Sequence, residues 1–257
     1  MAHPWKLEEL SYSDIGSLQY EVALLPVGST EPHGLHLPYG QDSFHTAEVA
    51  DRVCRLANAR GAKIIRLPVI PYGVETNQRS FPFALNVHQS TLNLVIRDLI
   101  DSLDHQGIRK VVILNGHGGN EFKSFLREQY GRREMFLSLV NWWTVAEDVG
   151  REVFSHPDDH AGEMETSVAL YLFAKLVHLD RAGDGATAKT GFEAINEGWV
   201  QITRPWHLFT KDSTAGDPRE ATAAKGERYL EATIDRISGY LEKLSSTPYD
   251  EDLPYSG

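Results

Sequence analysis

The chain has 257 residues, of which 41% are hydrophobic and 24% are charged, a composition that suits one soluble α/β domain. Its net charge of −11 argues against nucleic acid and against an anionic membrane surface as partners, because both are bound by clustered Lys and Arg. The single cysteine, Cys54, excludes an internal disulfide, and the lack of a signal-peptide pattern or of roughly 18 consecutive apolar residues leads us to expect a cytoplasmic protein.

Short apolar runs rich in β-branched residues alternate along the chain with longer amphipathic runs. In chain order these runs predict a strand over 22–26, a helix over 42–56, a strand over 63–69, a helix over 89–105, a strand over 110–114, a helix ending at residue 130, a strand over 136–140, and helices over 163–177 and 219–244. Strands and helices that alternate in this way indicate an α/β fold with a mostly parallel central sheet covered on both faces.

No internal repeat, low-complexity linker or charge block divides the sequence, so we expect residues 1–244 to form a single domain. Residues 245–257 contain two prolines among acidic residues and are expected to be a loosely ordered tail or to dock on a neighbouring subunit. Cys54 lies in an apolar, helix-like stretch without a CxxC partner, which indicates a buried small hydrophobic residue rather than a nucleophile.

Two features of the sequence are candidates for the wall of a substrate pocket. Residues 184–217 have no clear periodicity, and long loops of this kind often shape active sites. Aromatic side chains suit flat heterocyclic ligands, and four tryptophans are candidates for this role: Trp142, Trp143, Trp199 and Trp206. The alternative for each tryptophan is packing in the core or in a subunit interface.

The first group of chemically active residues follows the first predicted strand, where ligand sites lie in open α/β sheets. Glu31 and His33 are two residues apart, so in an extended segment their side chains point the same way and suit one metal ion or two adjacent ions. Asp42 opens the following helix, where it could cap the N-terminus or bridge two ions. The alternative is a turn with a hydrogen-bonded histidine and an N-cap aspartate.

The second group is NGHGGN, residues 115–120, directly after the third predicted strand. Its three glycines allow the backbone to approach a ligand closely, yet the segment matches neither GxGxxG nor the P-loop pattern. The central His117 favours metal binding or acid–base chemistry over phosphate binding. The alternative is a strained turn with an incidental histidine.

The third group is DDHAGEMETS, residues 158–167, at the start of a predicted helix. Acidic residues in a first helical turn often only complement the helix dipole, which is the favoured interpretation of this segment by itself. Each of the three segments, however, lies at an element boundary expected on the same rim of the sheet, and together they hold histidines and carboxylates. Their combination favours a shared site.

Written in order, the three segments EPHGLHLPYGQD, NGHGGN and HAGEMET resemble the hallmark motifs of the creatininase (creatinine amidohydrolase) family. The resemblance implies a three-layer α/β/α sandwich, a homo-oligomer that is commonly a hexamer, and two divalent metal ions per chain, with Zn²⁺ as first choice and Mn²⁺ or Fe²⁺ as alternatives. It further implies that Glu31, Asp42 and His117 hold one ion, and that His33 and Asp42 hold the other with Asp42 as the bridge.

The reaction implied by this resemblance is hydrolysis of a C–N bond in a cyclic amide. Two cations held close together polarise the substrate carbonyl and lower the pKa of a water molecule between them. This water then attacks the carbonyl as hydroxide. His160 matches the catalytic histidine of the family and is expected to act as general acid or base. Asp159 could orient the His160 ring, and Glu165 matches a family carboxylate beside that histidine.

One departure from the family pattern concerns the metal ligands. Creatininase has a carboxylate in the NGH turn, where this chain has Gly119, so the second ion needs another ligand. Residues three apart on a helix share a face, so Glu163 is expected to reach the metal together with His160. Glu165 would then orient His160 or satisfy nearby backbone groups. The alternative is that Glu163 only complements the helix dipole.

A second departure leaves the substrate open. The chain has FPFAL where relatives have FPGT, so Phe83 and Ala84 are expected to make the pocket wall bulkier, and Gln78 replaces a common histidine. A formamide or a ring diketone of the inosose type is therefore an alternative to a cyclic amide, and a small molecule is the expected partner. A non-catalytic metal-binding subunit is the alternative of another class, but the complete set of ligands argues against it.

Overall fold

The computed structural model describes residues 3–157, 159–250 and 252–255, and its centre is a parallel sheet of four strands in the order β2-β1-β3-β4. The strands are β1 (Val22–Val27), β2 (Ile64–Arg66), β3 (Lys110–Asn115) and β4 (Phe136–Asn141). All six residues of β1 and of β3 are buried, as expected for central parallel strands that helices cover on both faces.

Helices pack on both faces of this sheet and form the outer layers. They are α1 (Tyr12–Ile15), α2 (Gln41–Ala59), α3 (Gln89–His105), α4 (Lys123–Gln129), α5 (Glu147–Val153), α6 (Glu163–Phe173), α7 (Glu193–Asn196), α8 (Trp206–Phe209) and α9 (Ala223–Ser246). Val22 and Leu24 of β1 face a core built with α2, α6 and α9, whereas Ala23 and Leu25 face a second core built with α3 and α4. This arrangement confirms the predicted three-layer α/β/α fold.

The ends of the elements differ from the predicted ones by a few residues, for local reasons. The predicted strand over 63–69 is shortened to β2, because Pro26, the next β1 residue with its backbone toward β2, lacks the amide that would continue the ladder. The last long helix begins at Ala223 instead of residue 219, because Thr222 is its N-cap and accepts a hydrogen bond from the Lys225 amide. Cys54 is fully buried in the core under α2, as predicted.

The predicted loop over 184–217 contains only the short helices α7 and α8. Helix α9 continues to Ser246, and residues 251, 256 and 257 of the predicted tail lie outside the described residues, so the loose order of 245–257 stays a prediction. Within the described part of the chain, no helix is both long enough and apolar enough to cross a membrane.

Candidate metal centre

The three motif segments meet at the carboxyl ends of β1 and β3, because parallel neighbouring strands end at the same edge of the sheet. The side chains they bring together are Glu31, His33, Asp42, His117 and His160, each at most 7% exposed. Buried carboxylates and imidazoles in one cluster are costly without compensating charge, so their proximity indicates a functional site. Asp158, at the start of the third segment, lies outside the described residues.

A tight turn after β1 directs the first two side chains inward. Leu37 pairs with His33 in an antiparallel bridge, and Gly34 between them has a positive φ of 62°. A Cβ at Gly34 would lie 2.4 Å from the Thr214 hydroxyl, so both conformation and space require glycine there. The chain then enters α2, whose N-cap is Gly40, so Asp42 is not the cap and its carboxylate is available to the cluster.

One group of possible ligand atoms comes from Glu31, Asp42 and His117. His117 Nδ1 lies 2.8 Å from Glu31 Oε1 and 2.9 Å from Asp42 Oδ2. One ligand atom from each of the three residues lies within 4.8 Å of the other two. This spacing allows all three atoms to bind the same metal ion. The three residues assigned to one ion by the sequence are therefore brought together.

A second group comes from His33, Asp42 and Glu165. His33 Nε2 lies 3.0 Å from Asp42 Oδ1 and 3.9 Å from Glu165 Oε2. Asp42 thus turns one carboxylate oxygen toward each group. This is the arrangement that a bridging ligand requires.

The structure does not bring Glu163 to the cluster, because the argument that placed it there had a wrong premise. Helix α6 begins at Glu163, and the residues before it are not helical: Gly162 is the extended N-cap, and Ala161 has a left-handed φ of 53°. His160 and Glu163 therefore do not share a helical face.

Glu165 takes the position at the cluster that the sequence suggested for Glu163, which is held elsewhere. The Glu163 carboxylate is fully buried, pairs with Lys225, and accepts hydrogen bonds from the backbone amides of residues 155 and 156 at 2.7 and 3.0 Å. Glu165 faces the cluster, and its Oε2 accepts a hydrogen bond from the Ala161 amide at 2.6 Å. The carboxylate in the second group is that of Glu165.

His160 lies beside both groups with its ring packed between other rings. Its Nε2 lies 2.9 Å from the Pro32 carbonyl, which can only accept, so this nitrogen carries the proton. Its Nδ1 faces Glu31 Oε1 at 3.8 Å. The ring centroid lies 4.2 Å from that of His33 and 4.8 Å from that of Trp206, which fixes the orientation of the imidazole.

Asp159 does not orient His160, contrary to the sequence expectation. Its carboxylate lies 2.5 Å from the Arg204 guanidinium, and its side chain is half exposed. The main-chain carbonyl of Pro32 and the neighbouring rings hold His160 in its place.

The outer nitrogen of each cluster histidine faces a backbone carbonyl. His33 Nδ1 donates to the carbonyl of Glu31 at 3.2 Å, and His117 Nε2 lies 3.2 Å from the carbonyl of Val74. Together with the contact of His160 to Pro32, these bonds direct the second nitrogen of every ring toward the cluster. Imidazoles oriented in this way are typical of metal ligands.

The charges of the cluster are strongly coupled. Burial opposes a charge on His33, but the carboxylates of Asp42, Glu165 and Glu31 outweigh it and raise the pKa of His33 to about 10. The pKa of His117 is likewise raised, because Glu31 and another buried carboxylate, Glu75, outweigh its burial. In the absence of metal, protons on these two histidines would supply the positive charge that bound cations would otherwise supply.

The same coupling shifts the pKa values of Glu31, Asp42 and His160 in different directions. Burial and the neighbouring Glu75 raise the pKa of Glu31 well above its usual value. Asp42 is also buried, yet the imidazole of His33 helps to hold its pKa well below the usual range. Burial and the nearby His33 lower the pKa of His160 to about 3, so His160 is neutral at physiological pH.

The donor atoms of the cluster fit divalent cations. Glu31 Oε1 and His33 Nε2 are buried, and no described residue makes a well-directed hydrogen bond to either atom. Buried polar atoms are normally hydrogen-bonded, so these two require another partner. Carboxylate oxygens and imidazole nitrogens are the ligands that zinc and manganese use in proteins.

Two buried residues from the loop after β2 support the cluster, and the motifs marked neither as part of it. Gln78 donates from Nε2 to Glu31 Oε2, and its Oε1 accepts from Ser213 Oγ at 2.7 Å. Glu75 lies 2.9 Å from His117 Nε2. The one available signal was position, because a loop that leaves a parallel strand crosses the same rim of the sheet.

A cavity of ≈ 190 Å³ opens onto the cluster. Of the four candidate tryptophans, Trp143 and Trp206 line it, whereas Trp142 belongs to the core and Trp199 is 72% exposed outside it. Arg204 lies at its rim, so the loop over 184–217 shapes the pocket, as expected.

The expectation that Phe83 and Ala84 form the pocket wall is wrong. Phe83 is 81% exposed, and neither residue lines the cavity at the cluster. The hydrogen-bonded turn between Gln78 and Phe81 directs the chain outward before it reaches residue 83. Gln78 itself does line the cavity.

Comparison with known proteins gives one family. The family model described as creatininase, creatinine amidohydrolase, matches residues 8–241. The chain is 28% identical to the creatinine amidohydrolase of Pseudomonas putida over 249 residues, which cover 86% of this chain and 89% of that protein. It is 31% identical to the mycofactocin precursor peptide peptidase of Mycolicibacterium smegmatis over 228 residues, which cover 87% of this chain and 84% of that protein.

Solved structures agree with this result. A candidate creatinine amidohydrolase from Bacteroides fragilis superposes with a TM-score of 0.90 at 35% identity, over 98% of this chain and 100% of the other. A creatininase described as its manganese form superposes with a TM-score of 0.76 at 23% identity, over 95% of this chain and 99% of the other, which shows the fold.

Proposed function

The chain belongs to the creatininase family, and on this premise we propose that it is a metal-dependent amidohydrolase that opens a C–N bond in a small cyclic amide. In this proposal Glu31, Asp42 and His117 would hold one divalent ion. His33, Asp42 and Glu165 would hold the second. The ions are Zn²⁺ by first choice, with Mn²⁺ or Fe²⁺ as alternatives.

The observation that carries the proposal is the position of Asp42. Its Oδ1 faces His33 and its Oδ2 faces His117, each at about hydrogen-bond distance, so one carboxylate serves two ligand groups. A carboxylate placed in this way can bridge two ions that are bound close together. When bound, two such ions lower the pKa of a water molecule and polarise a carbonyl group.

His160 is the residue that would move the proton. Its Nε2–H is held by the Pro32 carbonyl, so Nδ1 is the free base and faces the cavity side of the cluster. The imidazole is neutral at physiological pH, so the Nδ1 lone pair could accept a proton and then deliver it to the leaving nitrogen. Trp206 packs on the ring and holds it in this orientation.

A competing role for His160 follows from the same distances. His160 also forms a group of possible ligands with Glu31 and His33, so its Nδ1 could bind an ion instead of a proton. We favour the proton-transfer role because Glu165 already gives the second group three ligands.

The cavity supports a small substrate. At ≈ 190 Å³ it is smaller than the roughly 300–1,000 Å³ of pockets for drug-sized ligands. The walls of Trp143 and Trp206 suit a flat ring. A formamide or a ring diketone would also fit this volume, whereas a peptide could place only its end there.

Two measurements test the proposal. Protein purified without chelator and analysed for metals should contain close to two divalent ions per chain. A hydrolysis screen over cyclic amides, formamides and ring diketones should find turnover that a chelator abolishes and that zinc or manganese restores. The absence of stoichiometric metal after reconstitution with either ion would exclude the dinuclear site.

The screen also separates the enzyme from a non-catalytic metal-binding subunit. Two bound ions without turnover in any of the three classes would favour the binding subunit. We also propose that the chain forms a homo-oligomer, commonly a hexamer in this family.

A further inference from the structure

Two hydrogen bonds hold the loop after β2 in place beside the NGHGGN turn. The Val74 amide donates to Asn120 Oδ1 at 3.1 Å, and the Glu75 amide donates to Asn86 Oδ1 at 2.9 Å. Asn120 is the last residue of the NGHGGN segment, so the loop and the turn form one hydrogen-bonded unit. The backbone of Glu75 is therefore held in place beside His117.

The side chain of Glu75 is fully buried beside His117 and the carboxylate of Glu31, and of these two neighbours only His117 can carry a positive charge. Its Oε1 lies 2.9 Å from His117 Nε2, and no described residue makes a well-directed hydrogen bond to either carboxylate oxygen. A buried carboxylate is costly unless it is paired. Packing alone gives no reason for an acid at this position.

Gly119 explains why the carboxylate comes from this loop. A Cβ on Gly119 would lie 2.3 Å from His117 Nε2 and 2.4 Å from the Val74 carbonyl. The space beside the outer nitrogen of His117 is thus closed to a side chain at position 119. It is open to Glu75.

We propose that Glu75 is a positioning residue for His117, an inference that rests on the proposed function because it takes His117 as a metal ligand. The Val74 carbonyl accepts a hydrogen bond from Nε2 at 3.2 Å, and the Glu75 carboxylate lies 2.9 Å from the same nitrogen, so both favour a proton on Nε2. Nδ1 is left as the ligand atom facing Glu31 and Asp42. The negative charge of Glu75 makes the imidazole a stronger ligand.

His117 differs in this respect from the other two cluster histidines. The outer nitrogens of His33 and His160 face the backbone carbonyls of Glu31 and Pro32. His117 alone faces a carboxylate in addition to a carbonyl, within the described part of the chain. We therefore expect Glu75 to affect the ion held by His117 more than the second ion.

The test compares zinc affinity in two variants that each remove one negative charge. Glu75→Gln keeps the shape and an acceptor oxygen, and Glu121→Gln is the control, an exposed glutamate four residues after His117. In competition with a chromophoric chelator, Glu75→Gln should bind the zinc ion held by His117 about 10–100-fold more weakly than wild type does. Glu121→Gln should bind it as tightly as wild type does.

A second readout detects positioning directly. In zinc-loaded protein with ¹⁵N-labelled histidine, the Nε2–H resonance of His117 should shift in Glu75→Gln and stay in place in Glu121→Gln. If Glu75→Gln does not fold, Glu75→Asp keeps the charge but shortens the side chain, and it should give a smaller loss of affinity and a shifted resonance.

Each outcome decides the inference. Unchanged zinc affinity in the Glu75 variants, or an unmoved His117 resonance, overturns the role of Glu75 and leaves the metal site intact. Wild-type protein that binds no zinc overturns the inference together with the proposed function. The two failures are thus distinguishable.

Discussion

At the scale of single residues, hydrogen bonds to the main chain decide which atom each histidine presents. His33 uses Nδ1 for a carbonyl and presents Nε2, whereas His160 uses Nε2 and presents Nδ1. Histidine tautomers are set by such contacts, because a carbonyl only accepts. The nitrogen that each ring presents to the cluster is therefore fixed, which would reduce the entropy lost if an ion binds there.

The different surroundings of the two glutamates on α6, Glu163 and Glu165, lead to a testable prediction. Glu165→Gln should lower the metal content from about two ions per chain to about one, because it removes the carboxylate of the second ligand group. Glu163→Gln is the matched control and should keep both ions. Metal analysis of the two purified variants checks the prediction.

The control variant has its own expected effect. Glu163→Gln leaves Lys225 without its buried anionic partner, so the free energy of unfolding should fall by roughly 1–3 kcal/mol. Denaturant unfolding measures this loss. Full metal content in Glu165→Gln together with a loss in Glu163→Gln would restore the assignment made from the sequence.

Replacement of His160 separates its two possible roles. His160→Ala should keep both ions and lower turnover by roughly 10²–10⁴, the usual effect of removing a general acid or base. Metal analysis and kcat are measured on the same preparation. Loss of one ion in this variant would show that His160 is a ligand to the ion near Glu31 and His33.

The residues of the cluster show what a sequence can predict and where it fails. Glu31, His33 and Asp42 were recognisable because they follow a strand and match a motif of the creatininase family. Glu165 was misplaced because the start of α6 depends on the left-handed Ala161, which no periodicity reveals. Glu75 was missed because its partner, His117, lies 42 positions away in the chain.

At the scale of elements, the close approach of α6 and α9 depends on one glycine. A Cβ on Gly226 of α9 would lie 2.0 Å from the Ser167 carbonyl oxygen of α6 and 2.7 Å from the Val168 amide nitrogen. Both neighbours are backbone, so they cannot move aside without displacing α6. Because Glu165 lies on α6, this contact also supports the metal centre.

Alanine substitution on α9 tests this packing. Gly226→Ala should destabilise the protein by about 1–3 kcal/mol through overpacking. Gly239→Ala in the same helix is the control, because its Cβ would meet nothing within 4 Å and alanine favours helix by about 1 kcal/mol. Thermal unfolding compares the two. Equal stability of both variants would show that the helices do not approach as closely as described.

Periodicity was a good guide to the longer elements because each buries its surface in a regular pattern. The alternating runs predicted all four strands and five helices: α2, α3, α4, α6 and α9. Four short helices were not predicted, since four to seven residues show little periodicity: α1, α5, α7 and α8.

At the scale of the whole molecule, the core under α2 encloses the only thiol of the sequence. Burial raises the pKa of Cys54 well above its usual value, and the thiolate is the reactive species. Native protein at pH 8 should therefore not react with a thiol reagent such as DTNB, whereas protein in guanidinium chloride should react at one thiol per chain. Rapid stoichiometric labelling of native protein would show that this core opens.

The ligand groups join distant parts of the chain. Glu31 and Asp42 follow the first strand, His117 follows the third, and Glu165 lies on a helix in the second half. Ions bound between them would act as cross-links that close long loops, and such links remove entropy from the unfolded chain. A nascent chain could not complete its second ion site until residue 165 had left the ribosome. Metal supply would thus act on the last stage of folding as well as on catalysis, and cells short of zinc or manganese would hold a less stable protein as well as an inactive one.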